Sequence, residues 1–437
     1  MLKRFRHELV VTFILQAVAM VFAAAFQVLS ARWLGAAGRG ELAILVSAAQ
    51  ITAMVCGLGL PGAISFYAAS TPESVPLLAR RQVALLGAVT LVVGAALAAS
   101  HYFSLHRLLR GVEVWFTVYT VGAVAQPAFA RLTLAIGAAG VANFTSVVSA
   151  CGSVLCMAAL GARGPLRVSE AMGALSLATL AGAMLPVSHI ARRGGFRPTT
   201  QREPSWPSEL KVGGLGFAAS ILGLLMFRVD IFLVAALGGG ARAAGVYSVG
   251  VLAAELLVRA PNWTATVLAP TVSAKPAETR RITIALFWAS VGFVGLAALP
   301  VVLLPGTTRW VLRIALGTDF VESYAVFVAM LPRIVAQAGG AILFGNLAGR
   351  GYSFFHPFAC GVGLVVLIAC DLVLIPKYGI VGAAIGGGIG YTAGTLVALK
   401  GFLALNGLDL RGFLGISVSE LSAWRNGVRR LVRKGST

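Results

Sequence analysis

Long apolar runs recur along almost the whole chain, and they decide what it can fold into. Of its 437 residues, 58% are hydrophobic and only 11% are charged, whereas an ordinary globular protein has about 25% charged residues. Most runs are about 20 residues long, the length that a helix needs to cross the hydrocarbon core of a bilayer. Helices are expected because hydrocarbon offers no partner to an unpaired backbone group. The sequence therefore predicts an all-α polytopic membrane protein.

Twelve transmembrane helices are predicted from these runs. The first run follows Lys3, Arg4 and Arg6, as a secretory signal does, but its apolar stretch is too long for a signal and we expect it to be a retained membrane anchor. The predicted helices cover residues 9–30, 41–68, 82–103, 113–133, 140–161, 168–190, 210–237, 243–272, 281–304, 321–348, 355–375 and 378–404.

The connections predict a division into two sets of six helices and an orientation in the membrane. We expect an N-terminal six-helix lobe at 1–190, a cytoplasmic linker at 191–209, a C-terminal six-helix lobe at 210–404 and a basic amphipathic cytoplasmic tail at 405–437. The connections on the side of the N-terminus hold about twice as many lysines and arginines as those on the other side. Because basic residues stay in the cytosol, both termini are predicted to be cytoplasmic.

Several classes of function are not expected. The five cysteines all lie in apolar runs and the five histidines are scattered, so the sequence predicts no disulfide framework and no metal site. The net charge of +20 comes from connections and the tail rather than from a soluble basic domain, so nucleic acid is not an expected partner. No nucleotide-binding or hydrolase motif occurs, so we expect neither a cofactor nor catalytic residues, and energy has to come from an ion gradient or from consumption of the substrate outside.

Charged residues inside the predicted helices are concentrated in the second half of the chain. Arg228 and Asp230 lie within an apolar run, and Glu255, Arg259 and Arg333 follow. A charge at the centre of a membrane helix costs about 2.5–3.5 kcal/mol even on the mildest scale, so such residues usually have a function. Their concentration predicts a hydrated polar cavity.

Four segments carry a resemblance to a known family. They are ARWLGAAGRGELAIL (31–45), GLGLPGAISFYAA (57–69), FRVDIFLVAALGGGARAAGVYSVG (227–250) and LIPKYGIVGAAIG (374–386). In this order and spacing they resemble the multidrug/oligosaccharidyl-lipid/polysaccharide (MOP) flippase superfamily, in its branch of O-antigen-type lipid-linked oligosaccharide flippases. The resemblance implies two six-helix lobes related by a pseudo-twofold axis around a central cavity.

The resemblance also implies a function. An undecaprenyl-pyrophosphate-linked oligosaccharide repeat unit would be flipped from the inner to the outer leaflet of a bacterial inner membrane, by alternating access, for O-antigen, capsule or exopolysaccharide. A polysaccharide polymerase and a chain-length regulator would be partners. Relatives that flip the peptidoglycan precursor carry several arginines in the first two helices. Here those helices offer Gln16, Gln27 and Gln50 instead, which favours an oligosaccharide substrate for surface polysaccharide.

The charged residues are candidates for the substrate site. We expect Arg228, Arg333 and Arg259, with Glu255, to bind the substrate, because a guanidinium fork matches the oxygens of a pyrophosphate. Arg228, Glu255 and Arg333 lie at similar predicted depths in three helices and could meet there. Structural pairing is the alternative for Glu255 and Arg259, which are four residues apart on one helix face and would neutralise each other.

Coupling and hinge residues are predicted as well. Glu255 and Asp230 are candidates for coupled proton or cation binding, and Asp371 is expected at the membrane interface. Pro261 and Asn262 lie inside a predicted helix, where proline removes a backbone donor, so they predict a hinge for alternating access or a static packing kink.

Two other classes of protein stay open as alternatives. The first is a cation-coupled multidrug antiporter of the same superfamily, which needs acidic residues for cationic drugs, whereas this chain has more intramembrane arginine than carboxylate. The second is a membrane polysaccharide polymerase or glycosyltransferase, which needs a sizeable outer loop. The predicted outer loops are short.

Overall fold

A computed structural model describes residues 2–60, 64, 67–68, 74–100, 109–196, 206–274 and 279–414. All the regular secondary structure in these residues is helical. The helices, numbered α1 to α13 in chain order, are Leu2–Cys56, Val75–Ser100, Glu113–Ala135, Ala139–Gly161, Val168–Arg192, Trp206–Leu237, Gly240–Ala274, Thr279–Leu303, Pro305–Ala315, Ser323–Ala329, Leu331–Gly349, Phe355–Asn406 and Leu410–Leu414, with a 3-10 helix at Thr318–Phe320.

Two of these helices each contain two predicted spans. The backbone of α1 leaves helical geometry at Gly35 (φ 67°), and that of α12 does so at Gly379 (φ 57°). Glycine adopts positive φ without the penalty that a side chain brings, so both breaks occur at glycine. The apolar part of α1 has 43 residues and α12 has 52, and at about 1.5 Å per residue each exceeds twice the roughly 30 Å core of a bilayer.

By length and composition, eight helices of the described residues are able to cross a membrane, or nine when the bent segment from Thr318 to Gly349 is counted as one span. The α3 helix is not among them, because Glu113, Gln126 and Arg131 interrupt its apolar surface. Ten of its 23 residues are nevertheless buried, and Gly122 and Trp115 lie against α5. The chain is therefore an all-α polytopic membrane protein in which α3 is held by packing.

Three predicted boundaries were wrong, each for a local reason. The helix predicted at 41–68 ends at Cys56, because Leu58 (φ 48°) and Gly59 (φ 72°) adopt left-handed backbone. The helix predicted at 321–348 is split into α10 and α11 with a bend of 52°, since Pro332 in the first turn of α11 has no backbone N–H to bond back to α10 and its ring crowds the carbonyl four residues earlier. The connection predicted after residue 304 contains the helix α9.

The chain forms two compact units. The first comprises Met1–Val249 and Trp310–Glu322, and the second comprises Gly250–Arg309 and Ser323–Thr437. The helix α6 and the beginning of α7 thus belong to the first unit, whereas the sequence assigns them to the C-terminal lobe. The lobes and the linker stay a prediction, and residues 197–205 of the linker and 415–437 of the tail lie outside the described residues.

The first unit contains a close contact between the backbones of α1 and α7. A Cβ atom added to Gly40 would meet the carbonyl oxygen of Ala241 and would lie 2.7 Å from the nitrogen of Gly245. A Cβ added to Gly245 would in turn meet the carbonyl oxygen of Ala36. Glycine on both sides allows the helices to approach closely, as small residues do in membrane proteins.

The second unit has an aromatic core. Phe413 lies with its ring centroid 5.0 Å from that of Phe287 and 6.1 Å from that of Phe402. These rings pack with the buried residues Ile284 and Leu343 of α8 and α11. The core ties the short helix α13 to the apolar spans before it.

Candidate functional site

Arg228 lies on α6 and is held by a chain of polar contacts within the first unit. Its Nε donates a hydrogen bond to Oε1 of Gln50 on α1, with a distance of 3.1 Å between the two atoms. Nε2 of Gln50 donates in turn to the hydroxyl oxygen of Tyr119 on α3, at 3.3 Å. The guanidinium carbon also lies 4.9 Å from the centroid of the Phe227 ring. Three helices thus fix the position of one intramembrane arginine.

This geometry makes Arg228 suited to bind an anion. The side chain is half-buried, whereas Tyr119 is buried with 7% of its surface exposed. A guanidinium stays protonated in proteins, and orienting it through Nε directs the planar fork. An oriented, partly desolvated guanidinium interacts more strongly with phosphate oxygens than one in water does. Sequence reasoning identified Arg228 but missed Tyr119, and it noted Gln50 only as a neutral residue.

Asp230, two residues along α6, has a different environment. It is 1% exposed, and its Oδ2 accepts a hydrogen bond of 2.6 Å from the hydroxyl of Tyr247, which is fully buried. Its Oδ1 accepts a second bond of 2.9 Å from the backbone nitrogen of Ile231. These two hydrogen bonds are a structural reason for an aspartate at this buried position. Its role in ion coupling stays a prediction.

Two buried charged residues lie against glycines of α12 in the second unit. Arg333 is 2% exposed, and its guanidinium carbon lies 4.6 Å from the centroid of the Tyr391 ring. A Cβ on Gly387 would come within 3.3 Å of Nη1 of Arg333, and one on Gly386 would meet Oδ1 of Asp371. Asp371, expected at the membrane interface, is fully buried. Consecutive glycines therefore make room for both side chains.

The other candidates lie on α7 in the second unit. Glu255 is half-buried and Arg259 is exposed, while Pro261 is buried and Asn262 is exposed. The helix is continuous through Pro261 from Gly240 to Ala274. The substrate, coupling and hinge roles of these residues stay predictions. It also stays a prediction that Glu255 and Arg333 meet Arg228, since Arg228 belongs to the other unit.

Neutral polar groups are also paired between helices of the first unit. Nε2 of Gln16 lies 3.4 Å from Oδ1 of Asn143, whose Nδ2 donates to the hydroxyl of Thr12 at 2.8 Å. Gln126 donates from Nε2 to the hydroxyl of Ser149 at 3.1 Å. Hydrogen bonds of this kind join membrane helices. The sequence indicated that these residues are intramembrane, but their pairing depends on how the helices pack.

Comparisons with known proteins find similar folds among solved structures. No family model and no curated protein matches the chain. The lipid II flippase MurJ in an inward closed conformation is similar with a TM-score of 0.70 and 12% identity, over 94% of this chain and 91% of that one.

Multidrug transporters have the same architecture. An inward-facing MATE family transporter of the MOP superfamily is similar with a TM-score of 0.67 and 13% identity, over 91% of this chain and 98% of that one. The Vibrio cholerae MATE transporter VcmN has a TM-score of 0.59 and 16% identity, over 92% of this chain and 99% of that one. At such low identity the similarity concerns the fold, which extends over nearly the whole chain. The chain therefore has the fold of MOP superfamily transporters.

Proposed function

We propose that this protein is a flippase that moves an undecaprenyl-pyrophosphate-linked oligosaccharide repeat unit from the inner to the outer leaflet by alternating access. The product would serve a surface polysaccharide such as O-antigen, capsule or exopolysaccharide. The observation that carries this proposal is the half-buried guanidinium of Arg228 on the apolar helix α6, oriented by Gln50, which is bonded in turn to Tyr119. An arginine held at this depth suits a ligand that brings phosphate oxygens into the membrane.

The remaining candidates take supporting roles in this proposal. Arg333, Arg259 and Glu255 would be further substrate ligands. Since Arg333 is 2% exposed here, its contact with a phosphate requires a conformation that uncovers it. Glu255 and Asp230 would bind the coupling ion, and Pro261 with Asn262 would form the hinge.

The neutral residues of the first two spans argue against the peptidoglycan precursor as the substrate. The residues at those positions are Gln16, Gln27 and Gln50, whereas the relatives that flip the peptidoglycan precursor carry several arginines in these helices. Amide groups both donate and accept hydrogen bonds, which suits sugar hydroxyl groups. A polysaccharide polymerase and a chain-length regulator would act on the flipped product.

The proposal is tested with purified protein in liposomes that contain a polyprenyl pyrophosphate bearing a fluorescent N-acetylglucosamine. Reduction of the fluorophore by an impermeant reagent measures how fast the headgroup changes leaflet. We expect Arg228→Gln to lower the initial rate about tenfold or more, since a hydrogen bond to a charged group contributes about 1.5–3 kcal/mol. Arg228→Lys should give an intermediate rate, because lysine keeps the charge and loses the fork.

Arg163→Gln is the matched control, because Arg163 is exposed at the end of α4 and the charge change is the same. The Arg163→Gln protein should flip the lipid at the wild-type rate. Arg228→Gln protein that melts normally and flips as fast as the Arg163→Gln control would contradict the role of Arg228. Absence of flipping by the wild-type protein would contradict the flippase proposal itself.

A cation-coupled multidrug antiporter is the second candidate, because MATE transporters share the fold over more than nine-tenths of the chain. Buried carboxyl groups at Asp230 and Asp371 are the groups such coupling would require. Overexpression in cells challenged with ethidium separates the two functions. Protection of the cells would support the antiporter, and unchanged sensitivity together with lipid flipping would support the flippase.

A further inference from the structure

The helix α9 begins directly after a membrane span. Only Leu304 separates it from the end of α8 at Leu303, and none of its eleven residues is buried. At about 1.5 Å per residue, eleven residues are too short to cross a bilayer. The helix therefore stays at the edge of the membrane where α8 ends.

The side chains of α9 are segregated by type. Trp310, Val311 and Ile314 are exposed by 62%, 48% and 55%, and their spacing places them on one edge of the helix. Arg309 and Arg313 are four residues apart and form a separate row. The helix thus presents an apolar edge beside a cationic one.

Residues of α9 make one contact within each compact unit. The guanidinium carbon of Arg309 lies 4.9 Å from the centroid of the Tyr324 ring. Nη1 of Arg32 donates a hydrogen bond of 3.1 Å to the carbonyl oxygen of Ile314, one of the last carbonyls of the helix, which have no partner within it. These contacts leave the apolar edge exposed.

We propose that α9 is an interfacial helix that lies in the plane of the membrane surface and binds anionic phospholipid. Trp310, Val311 and Ile314 would enter the boundary between headgroups and acyl chains, where tryptophan is enriched. Arg309 and Arg313 would face the lipid phosphates, to which their charge is complementary. Leu303 and Leu304, where α8 meets α9, are exposed by 65% and 54%. In the predicted orientation this is the outer leaflet. The inference is independent of the transported substrate.

The test uses full-length protein in nanodiscs of phosphatidylglycerol and phosphatidylethanolamine. The five native cysteines are replaced, and single nitroxide labels are placed at 309, 310, 311, 313 and 314. Accessibility to molecular oxygen, which concentrates in the acyl region, is compared with accessibility to a water-soluble nickel complex. We expect the ratio of oxygen to nickel accessibility to be several-fold higher at 310, 311 and 314 than at 309 and 313.

Two controls keep the result interpretable. Each labelled protein has to elute as the unlabelled one does, and Ile314→Asp in the protein labelled at 310 should lower the ratio there by pulling the edge toward water. High nickel accessibility at all five positions would overturn the proposal, because α9 would then be an ordinary exposed helix. Low accessibility to both reagents at 310, 311 and 314 would also overturn it, since protein would then cover the edge.

Discussion

Two charged residues on α6 are separated by one position and have opposite surroundings. Arg228 is half-buried, and its Nε is oriented by Gln50. Asp230 is buried, and both of its oxygens accept hydrogen bonds, from Tyr247 and from the backbone of Ile231. Hydrogen bonds reduce the cost of placing a charge in a low-dielectric environment. The arginine is therefore the better candidate for a ligand contact and the aspartate the better candidate for structural support.

Gln50 provides a test of positioning that leaves the arginine intact. Gln50→Leu removes the acceptor of Arg228 Nε, so we expect the lipid-flipping rate to fall about tenfold, in line with a hydrogen bond to a charged group of about 1.5–3 kcal/mol. Tyr119→Phe removes only the neutral bond to Gln50 and should have a smaller effect. Flipping rates and thermal melting are measured together. Equal rates for the two variants would show that Gln50 does not position Arg228.

The charged residues could be predicted from the sequence, but their partners could not. Arg228, Asp230 and Arg333 are evident because they interrupt apolar runs. Gln50 is 178 residues from Arg228 and Tyr119 is 69 residues from Gln50, so only the packing of helices brings them together. The burial of Arg333 beside Tyr391 likewise depends on the glycines of α12.

Glycines have two distinct roles in the helices of this protein: some allow a break in the backbone, and others allow a close contact with a neighbouring helix. Gly35 and Gly379 allow backbone breaks within α1 and α12 and have open space where a side chain would be. Gly40 and Gly245 have helical backbone but no space, because the neighbouring helix occupies the position of a Cβ atom. A substitution is therefore strained by backbone conformation in the first pair and by overpacking in the second.

The contact at Gly40 predicts a large effect of a single methyl group. Gly40→Ala would meet the backbone of α7, which cannot rotate away as a side chain can, so we expect a destabilisation of about 3 kcal/mol or more. Gly87→Ala in α2 is the matched control, because no atom lies within 4 Å of its Cβ position, and it should be neutral or slightly stabilising. Thermal melting in detergent compares the two. Similar melting temperatures would contradict the close contact of α1 with α7.

The positions of the helices could be predicted well from the sequence, and the breaks between and within them less well. The predicted spans 140–161 and 168–190 match α4 and α5 to within two residues, because a long and mostly apolar run defines each of them. Pro332 could have indicated the break between α10 and α11, since proline lacks the backbone N–H that a continuous helix needs and is tolerated in a first turn. The helix α9 was missed because its alternation of arginine and apolar residues is too short to stand out from a loop.

On the scale of the whole molecule, hydropathy predicts the fold class because the bilayer allows few alternatives. Segments without an internal hydrogen-bonding pattern do not cross hydrocarbon, so twelve apolar runs indicate a helical membrane protein before any contact is known. Structural similarity to MurJ and to MATE transporters extends over more than nine-tenths of the chain. The substrate could not be predicted in the same way, since it depends on a few side chains rather than on the fold.

The predicted orientation is testable with reporter fusions at four glycine turns. Gly194 and Gly351 lie in basic connections predicted to be cytoplasmic, and Gly164 and Gly239 lie in connections predicted to be outside. Alkaline phosphatase, which is active only outside the cytosol, should be active after Gly164 and Gly239 and inactive after Gly194 and Gly351. Green fluorescent protein at the same sites should give the inverse pattern. Activity of both reporters on the same side would require a different topology.

The composition of α3 has a consequence for biosynthesis. A helix whose apolar surface is interrupted by Glu113, Gln126 and Arg131 partitions weakly from the translocon into lipid, whereas its buried face fits α5, which is synthesised later. Nascent chains long enough for α3 to have left the ribosome, but too short for α5 to have done so, should therefore keep α3 beside the translocon channel, and release into the bilayer should await emergence of α5. Neighbouring helices of this protein would then insert together rather than one after another from the N-terminus.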